Sequence, residues 1–246
     1  MRLRGKVALV TGASGGIGEA IALALSRRGV RVTITARRKA RLKLLAQRIR
    51  LEGGHVFPIP GDLRSEMDIL RIFEKSQAHW GRLDVLINNA GVGFETSLRD
   101  GSTEAFRAML EVNVLAPTIA AREALRRFPS KDGGHIVNIG STSGHRIPSN
   151  AGFYAATKFT LRALTEILRN ELRIARDPTK VSLISPGRVS TDLFRGTQKQ
   201  YISTTGQDCT EKLSPGEVAK VVLQVLQVPE GMEIHDIIFR ERNIPK

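Results

Sequence analysis

Apolar residues fall along this chain in short runs, separated by longer stretches in which they recur every three or four positions. The first run, Val7-Ala8-Leu9-Val10, predicts a short strand buried on both faces. A glycine-rich turn follows, and residues 19–28, mostly good helix formers closed by Gly29, predict a helix. The alternation then repeats. Strands are expected at 30–36, 55–60, 83–88, 134–141, 180–185 and 233–239. Between them, helices are expected at 39–52, 66–80, 103–128, 151–175 and 215–227. Ser65 is placed to cap the helix at 66–80, and Gly81 lies past its end. Seven strands alternating with helices imply an α/β architecture: a parallel sheet with helices on both faces. No repeat, low-complexity run or linker divides residues 1–246, so one domain is expected.

Composition changes this picture in three places. No apolar run approaches the ~20 residues of a membrane helix, and the stretch behind the basic N-terminus is too short for a secretory signal. The single Cys209 can form no internal disulfide, and no Cys/His cluster has metal-ligand spacing. A reducing, cytoplasmic setting is therefore expected, with Cys209 a spare loop thiol. The formal net charge of +14 is unusual. Ten Lys/Arg and no Asp or Glu lie between Arg27 and Arg50. Leu42, Leu44, Leu45 and Ile49 run through that stretch at roughly helical spacing, so it reads as an amphipathic helix rather than a basic tail. No aromatic residues interleave to stack on bases, so specific nucleic-acid binding is not expected; steering of anionic ligands is.

The glycine turn carries the first chemistry. In Thr11-Gly12-Ala13-Ser14-Gly15-Gly16-Ile17-Gly18 it joins a strand to a helix, whose N-terminus offers unpaired N–H groups and the positive end of its dipole to a pyrophosphate. Glycines let backbone approach that group closely. This context implies a dinucleotide-binding, Rossmann-type doubly wound sheet. Tyr154 and Lys158 are four apart and so share a helix face. A free phenol has a pKa of ~10, and a nearby ammonium favours the phenolate and lowers it, which would fit Tyr154 for acid–base work on a carbonyl or alcohol. Ser141, at the end of the fifth strand, could donate to a substrate oxygen as charge develops there. Ser143 is a nearby rival for that role. Asn113, in an otherwise mostly apolar stretch, is either a satisfied core amide or a functional one. The end of the second strand has no carboxylate to pair with a ribose 2′-hydroxyl. Instead Arg37, with Arg38, could grip a 2′-phosphate.

With Asn88-Asn89-Ala90-Gly91 and Tyr154-Ala155-Ala156-Thr157-Lys158 in place, the sequence resembles the short-chain dehydrogenase/reductase family over essentially its whole length. It looks most like a subgroup of NADP-dependent members that includes 3-hydroxy acid (serine-type) dehydrogenases and ketosteroid and carbonyl reductases. The resemblance aligns Ser141 rather than Ser143 and implies a catalytic set of Asn113, Ser141, Tyr154 and Lys158. In that set Asn113 supports a proton relay by holding a water behind Lys158; Tyr154 and Lys158 also contact the cofactor, Lys158 holding the nicotinamide ribose. It further implies that Gly12, Ser14, Gly16, Ile17 and Gly18 cradle the cofactor. Asp62 and Leu63 would contact the adenine, and Asn89, Ala90 and Gly91 would line the site. Pro186, Gly187, Val189 and Thr191 would flank the nicotinamide. Gly15 departs from those NADP-dependent relatives that carry a basic residue in this loop. Residues 188–213 resemble a substrate-covering segment, in which Arg195 or Lys199 either holds a substrate carboxylate or is an ordinary surface charge; Phe194, Gln200 and Tyr201 lie there too. His145 and Arg146 either border the substrate or cap their loop. The implied activity is an NADP(H)-dependent oxidoreductase acting on a small-molecule carbonyl or alcohol. The alternative is a catalytically silent NADP(H)-sensing protein, which would need only the glycine loop and Arg37. Relatives usually assemble as homotetramers or homodimers through the long helices of Asn113 and Tyr154, where Ala116, Ala120, Ala121, Ala155, Ala156 and Ala163 would permit close approach.

Overall fold

The strands form one parallel sheet in the order β3-β2-β1-β4-β5-β6-β7. The computed structural model describes residues 3–94, 97–148, 151–191, 193 and 212–242. The first half comprises β1 (Val7–Thr11), α1 (Gly16–Arg27), β2 (Arg31–Ala36), α2 (Lys39–Leu51), β3 (Val56–Pro60) and α3 (Glu66–Trp80). The second comprises β4 (Val85–Asn88), α4 (Thr103–Leu110), α5 (Ala116–Leu125), β5 (His135–Ile139), α6 (Gly152–Ala175), β6 (Lys180–Pro186), α7 (Pro215–Leu226) and β7 (Asp236–Phe239).

Alternation along each strand sends successive side chains to opposite faces. Ala8 and Val10 pack with α1, α2 and α7, whereas Val7 and Leu9 pack with α3, α5 and α6. Both faces are therefore apolar, which is why the strands read as continuous hydrophobic runs. The chain winds outward from β1 to β3, then returns to β4 on the other side of β1 and winds the opposite way. The crevice at the carboxyl ends of β1 and β4, where the strand order reverses, is the ligand position of such sheets.

Two expectations are corrected. The single helix expected at 103–128 is two helices joined by a π-type turn at Glu111–Leu115. Pro117 has no N–H to give to the Asn113 carbonyl four residues back, and the wider turn absorbs that break. The fifth strand stops at Ile139, and Ser141 instead caps a short 3₁₀ turn, Thr142–Gly144. Of the alanines expected at an intersubunit face, Ala116, Ala120, Ala121 and Ala155 are buried within the chain itself; Ala156 and Ala163 are exposed. Among the described residues no helix is long and apolar enough to cross a membrane, and no group of His, Cys, Asp or Glu is placed to hold a metal.

Candidate functional site

The glycine loop is fixed by the segment after β4. Thr11 Oγ1 donates to Ile87 O at 3.2 Å and accepts from the N–H groups of Asn89 and Ala90, both at 3.0 Å. Asn89 Nδ2 donates to Thr11 O at 2.8 Å and to Gly12 O at 3.3 Å. The Asn89 side chain thus clamps the loop. Two glycines make this approach possible. Gly12 has φ +65°, and a Cβ there would stand 2.8 Å from Ala90 Cα; a Cβ on Gly18 would stand 2.4 Å from Asn89 Nδ2. On the other side of the loop, Thr191 sits against Gly16, 3.0 Å from where a Cβ would be. Gly16 and Ile17 begin α1, so their N–H groups belong to the first turn. Removing Cβ atoms from the loop and aiming a helix N-terminus into it is the arrangement a pyrophosphate requires.

Arg38 leans over this loop from the end of β2. Its Nε donates to Ser14 Oγ at 3.1 Å and its Nη2 to Ser14 O at 3.2 Å. Arg38 and Arg41 both reach the position where Gly15 lacks a side chain. Arg37 is exposed beside them. Asp62 carries a bidentate pairing with Arg64, which holds its carboxyl below the usual carboxylate range. Leu63, Ala90 and Val112 line a small cavity over the carboxyl ends of β1 and β4.

Ser141, Tyr154 and Lys158 come together at the carboxyl end of β5. Tyr154, Thr157 and Lys158 lie on the buried face of the first turns of α6. The Ser141 hydroxyl hydrogen-bonds the Tyr154 phenol, and Ser141 Oγ accepts from Ser143 N–H at 3.1 Å. The Ser143 backbone thus holds the Ser141 hydroxyl in place. Lys158 Nζ donates to Ile139 O at 2.9 Å and lies 5.7 Å from the centre of the Tyr154 ring. Gly144 lets the 3₁₀ turn press against α6, since a Cβ there would stand 2.8 Å from Lys158 O. Gly91 faces both Lys158 Nζ and Asn113 Oδ1.

Asn113 occupies the centre of the π-type turn and is almost fully buried. Its amide exchanges two hydrogen bonds with the Val92 backbone, each 2.9 Å, and donates to Thr157 Oγ1 at 3.0 Å. Thr157 in turn donates to Tyr154 O at 2.8 Å. The side chain of Asn113 thus ties the β4 loop to α6 rather than reaching Lys158 directly. Val92, Thr157, Val112 and Arg41 were not singled out from sequence. Thr157 lies inside the Tyr-x-x-x-Lys segment, whereas nothing local marks the other three.

Burial reverses one electrostatic expectation. The Tyr154 phenol is pushed up to about 12 by burial, against which the Ser141 hydrogen bond works in the lowering direction. Lys158 is pushed down to about 8 by burial. Spacing alone suggested that the ammonium would lower the phenol pKa. Here the ammonium points at Ile139 O, and loss of water around the phenol outweighs it. At neutral pH Tyr154 carries its proton, the form suited to donating it.

The remaining expected residues frame the far side. Pro186 ends β6, Gly187 N–H donates to Phe239 O at 2.7 Å, and Val189 bridges to Leu213. His145 Nε2 lies 3.0 Å from Ser185 Oγ, which ties the loop after Ser141 to β6, while Arg146 is exposed. Phe194, Arg195, Lys199, Gln200, Tyr201 and Cys209 lie outside the described residues, as does most of the expected substrate-covering segment.

The profile of the short chain dehydrogenase family matches residues 6–202. Dehydrogenase/reductase SDR family member 11 from Bos taurus is 40% identical over 250 residues, covering 97% of each chain. Among solved structures, an alcohol dehydrogenase from the archaeon Thermococcus sibiricus, complexed with 5-hydroxy-NADP, superposes with a TM-score of 0.84 at 30% identity, covering 98% of this chain and 99% of that one. The closed form of a serine dehydrogenase complexed with NADP+ gives a TM-score of 0.84 at 28% identity, covering 95% and 94%.

Proposed function

Since the chain belongs to the short-chain dehydrogenase/reductase family, and so among oxidoreductases that use a nicotinamide cofactor, we propose that it is an NADP(H)-dependent enzyme interconverting a carbonyl and a secondary alcohol. Its substrate would be a 3-hydroxy acid, a small carbonyl compound or a ketosteroid. The gathering of Ser141, Tyr154 and Lys158 beside the glycine loop carries this reading. It also disfavours a silent sensor, which has no use for a buried phenol and ammonium.

A bound nicotinamide supplies the hydride for reduction and accepts it for oxidation. The chain supplies the rest. Tyr154 gives its phenolic proton to the substrate oxygen. Ser141, its own oxygen engaged by Ser143 N–H, donates to that oxygen as negative charge develops. Lys158, held by Ile139 O, keeps positive charge beside the phenolate that Tyr154 becomes. Asn113 and Thr157 hold the start of α6 in register with the β4 loop. The glycine loop and the N-terminus of α1 would hold the pyrophosphate, and Lys158 and Thr191 the nicotinamide half. Asp62, Leu63 and Val112 would surround the adenine.

The preference for NADP(H) over NAD(H) rests on Arg37 and Arg38, with no carboxylate at the end of β2. The serine and alcohol dehydrogenase neighbours, both bound to NADP forms, support it. A hydrogen bond to a charged group contributes ~1.5–3 kcal/mol, so Arg37→Ala should lower the NADPH/NADH preference about 10- to 100-fold. Nicotinamide absorbance measured with both cofactors, against aldehydes, diketones, β-keto acids, ketosteroids and 3-hydroxy acids, tests the reading. Equal efficiency of the wild type with NADH and NADPH would overturn the role given to Arg37.

A further inference from the structure

The outer face of α2 has a pattern that neither the sheet nor the crevice uses. Leu42, Leu45, Ala46 and Ile49 turn inward and are buried. On the opposite side Leu44 is 66% exposed and Leu51 89% exposed. Seven residues apart, they fall within about 20° of each other around the helix axis and form an apolar ridge. Lys43 and Arg50 run along one flank of the ridge, and Arg41 and Arg48 along the other. Arg48 is partly neutralised by Glu52 at 3.4 Å and Glu19 at 3.8 Å, Arg50 Nη2 donates to Val56 O at 3.4 Å, and Arg41 turns toward the glycine loop. The side chains of Lys39, Arg41 and Lys43 have no ion pair or hydrogen bond among the described residues. α2 itself contains no acidic residue.

Charge and apolarity together select the occupant. A second copy of this chain would bring two cationic faces together. A nucleic acid would leave the leucine ridge against phosphates and find no aromatic residue on α2 for its bases. A bilayer with anionic headgroups offers phosphates for the flanks and hydrocarbon for the ridge. We propose that the outer face of α2 docks this protein peripherally on an anionic phospholipid surface. Leu44 and Leu51 enter the headgroup–acyl boundary, and Lys39 and Lys43 lie over the phosphates. This surface is independent of the catalytic reading above. It adjoins the crevice because α2 begins directly after Arg37 and Arg38.

The test is cosedimentation of the intact protein with sucrose-loaded vesicles, of phosphatidylcholine alone or with about a third phosphatidylserine, at low and high salt. Binding is expected only to the anionic vesicles and should weaken with salt. Each cation near the surface is worth roughly fivefold in affinity, so Lys39→Gln/Lys43→Gln should bind roughly 25-fold more weakly. Leu44→Ser/Leu51→Ser, which keeps every charge, should lose at least ~10-fold. Both variants alter exposed side chains alone, and unchanged thermal melting will show that they are folded. Absence of binding to anionic vesicles overturns the proposal. So does a leucine variant that binds like the wild type, because the ridge then takes no part. A double-stranded oligonucleotide that binds more tightly than the vesicles would reassign the face to nucleic acid. A wild-type oligomer that dissociates in the leucine variant would reassign it to a second copy.

Discussion

Replacing Thr157 with valine tests whether Asn113 acts through α6. The Asn113 amide nitrogen has two hydrogens, one given to Val92 O and one to Thr157 Oγ1. Valine fills nearly the same space but leaves the second hydrogen facing a methyl group at a position where Asn113 is only 1% exposed. A buried donor left unpaired costs ~1–3 kcal/mol. Tyr154 O loses a side-chain donor but keeps its helical one, so that loss adds little. In a chain of this size each kcal/mol lowers Tm by about 2–4 °C, which gives an expected fall of roughly 2–12 °C. Thr157→Ser keeps the hydroxyl and loses one methyl, worth about 1 kcal/mol. Stability therefore separates the two variants only modestly, and kinetics should separate them clearly. Loosening the first turns of α6 shifts Tyr154 relative to Ser141, so kcat of Thr157→Val should fall at least ~10-fold, whereas Thr157→Ser stays near wild type. Combining Thr157→Val with Asn113→Ala should be less damaging than the sum, by ~1–2 kcal/mol in a thermal double-mutant cycle. An additive cycle, or equal kcat losses for valine and serine, would refute the linkage.

Two further predictions concern the frame around the site. Gly18→Ala places a Cβ 2.4 Å from Asn89 Nδ2 and 2.6 Å from Gly12 O, both parts of the loop clamp. It should destabilise the fold by ~1–3 kcal/mol and abolish cofactor binding measured by NADPH fluorescence; unimpaired binding would mean that the loop is not the cradle described. His135 is buried, and burial foremost pushes its pKa from 6.5 to about 3. Ser182 gives its own proton to Ile234 O, so His135 is neutral with the hydrogen on Nε2. Between pH 6.5 and 3 the unfolded chain binds a proton that the native one refuses. Stability is then complete above pH 6.5 and lost as the pH falls, by about 3 kcal/mol at pH 4. His135→Gln should flatten this part of the Tm–pH curve, and an unchanged slope would show that other groups govern acid unfolding.

Much of this architecture is written locally. Buried strands such as Val7–Thr11 are continuous apolar runs, and Ser65 and Gly81 bound α3 just where their chemistry predicts. The placement of Tyr154 and Lys158 on one helix face was equally legible, because it needs only helical spacing. What escaped depends on contacts distant in sequence. The break at Glu111–Leu115 is stabilised by Asn113 bonding to Val92, 21 residues before it, and to Thr157, 44 residues after it. Arg38 was visible as a cation, but its hold on Ser14 requires β1 and β2 to be paired. The proton affinity of Tyr154 was misjudged from spacing, since the dominant influence is burial, and burial exists only once the sheet and α6 are packed together.

The central claim is that Tyr154 moves the proton while most of the cofactor's hold comes from other residues, and one comparison tests it directly. NADPH oxidation and NADPH binding are measured side by side for the wild type and for Tyr154→Phe, using whichever carbonyl substrate the wild type turns over fastest. Positioned acid–base catalysis contributes typically 10²–10⁴-fold, so kcat should fall by about that factor. NADPH affinity should change by no more than about twofold, because the phenol hydrogen-bonds Ser141 and the glycine loop is untouched. Turnover of the phenylalanine variant at the wild-type rate would contradict the account.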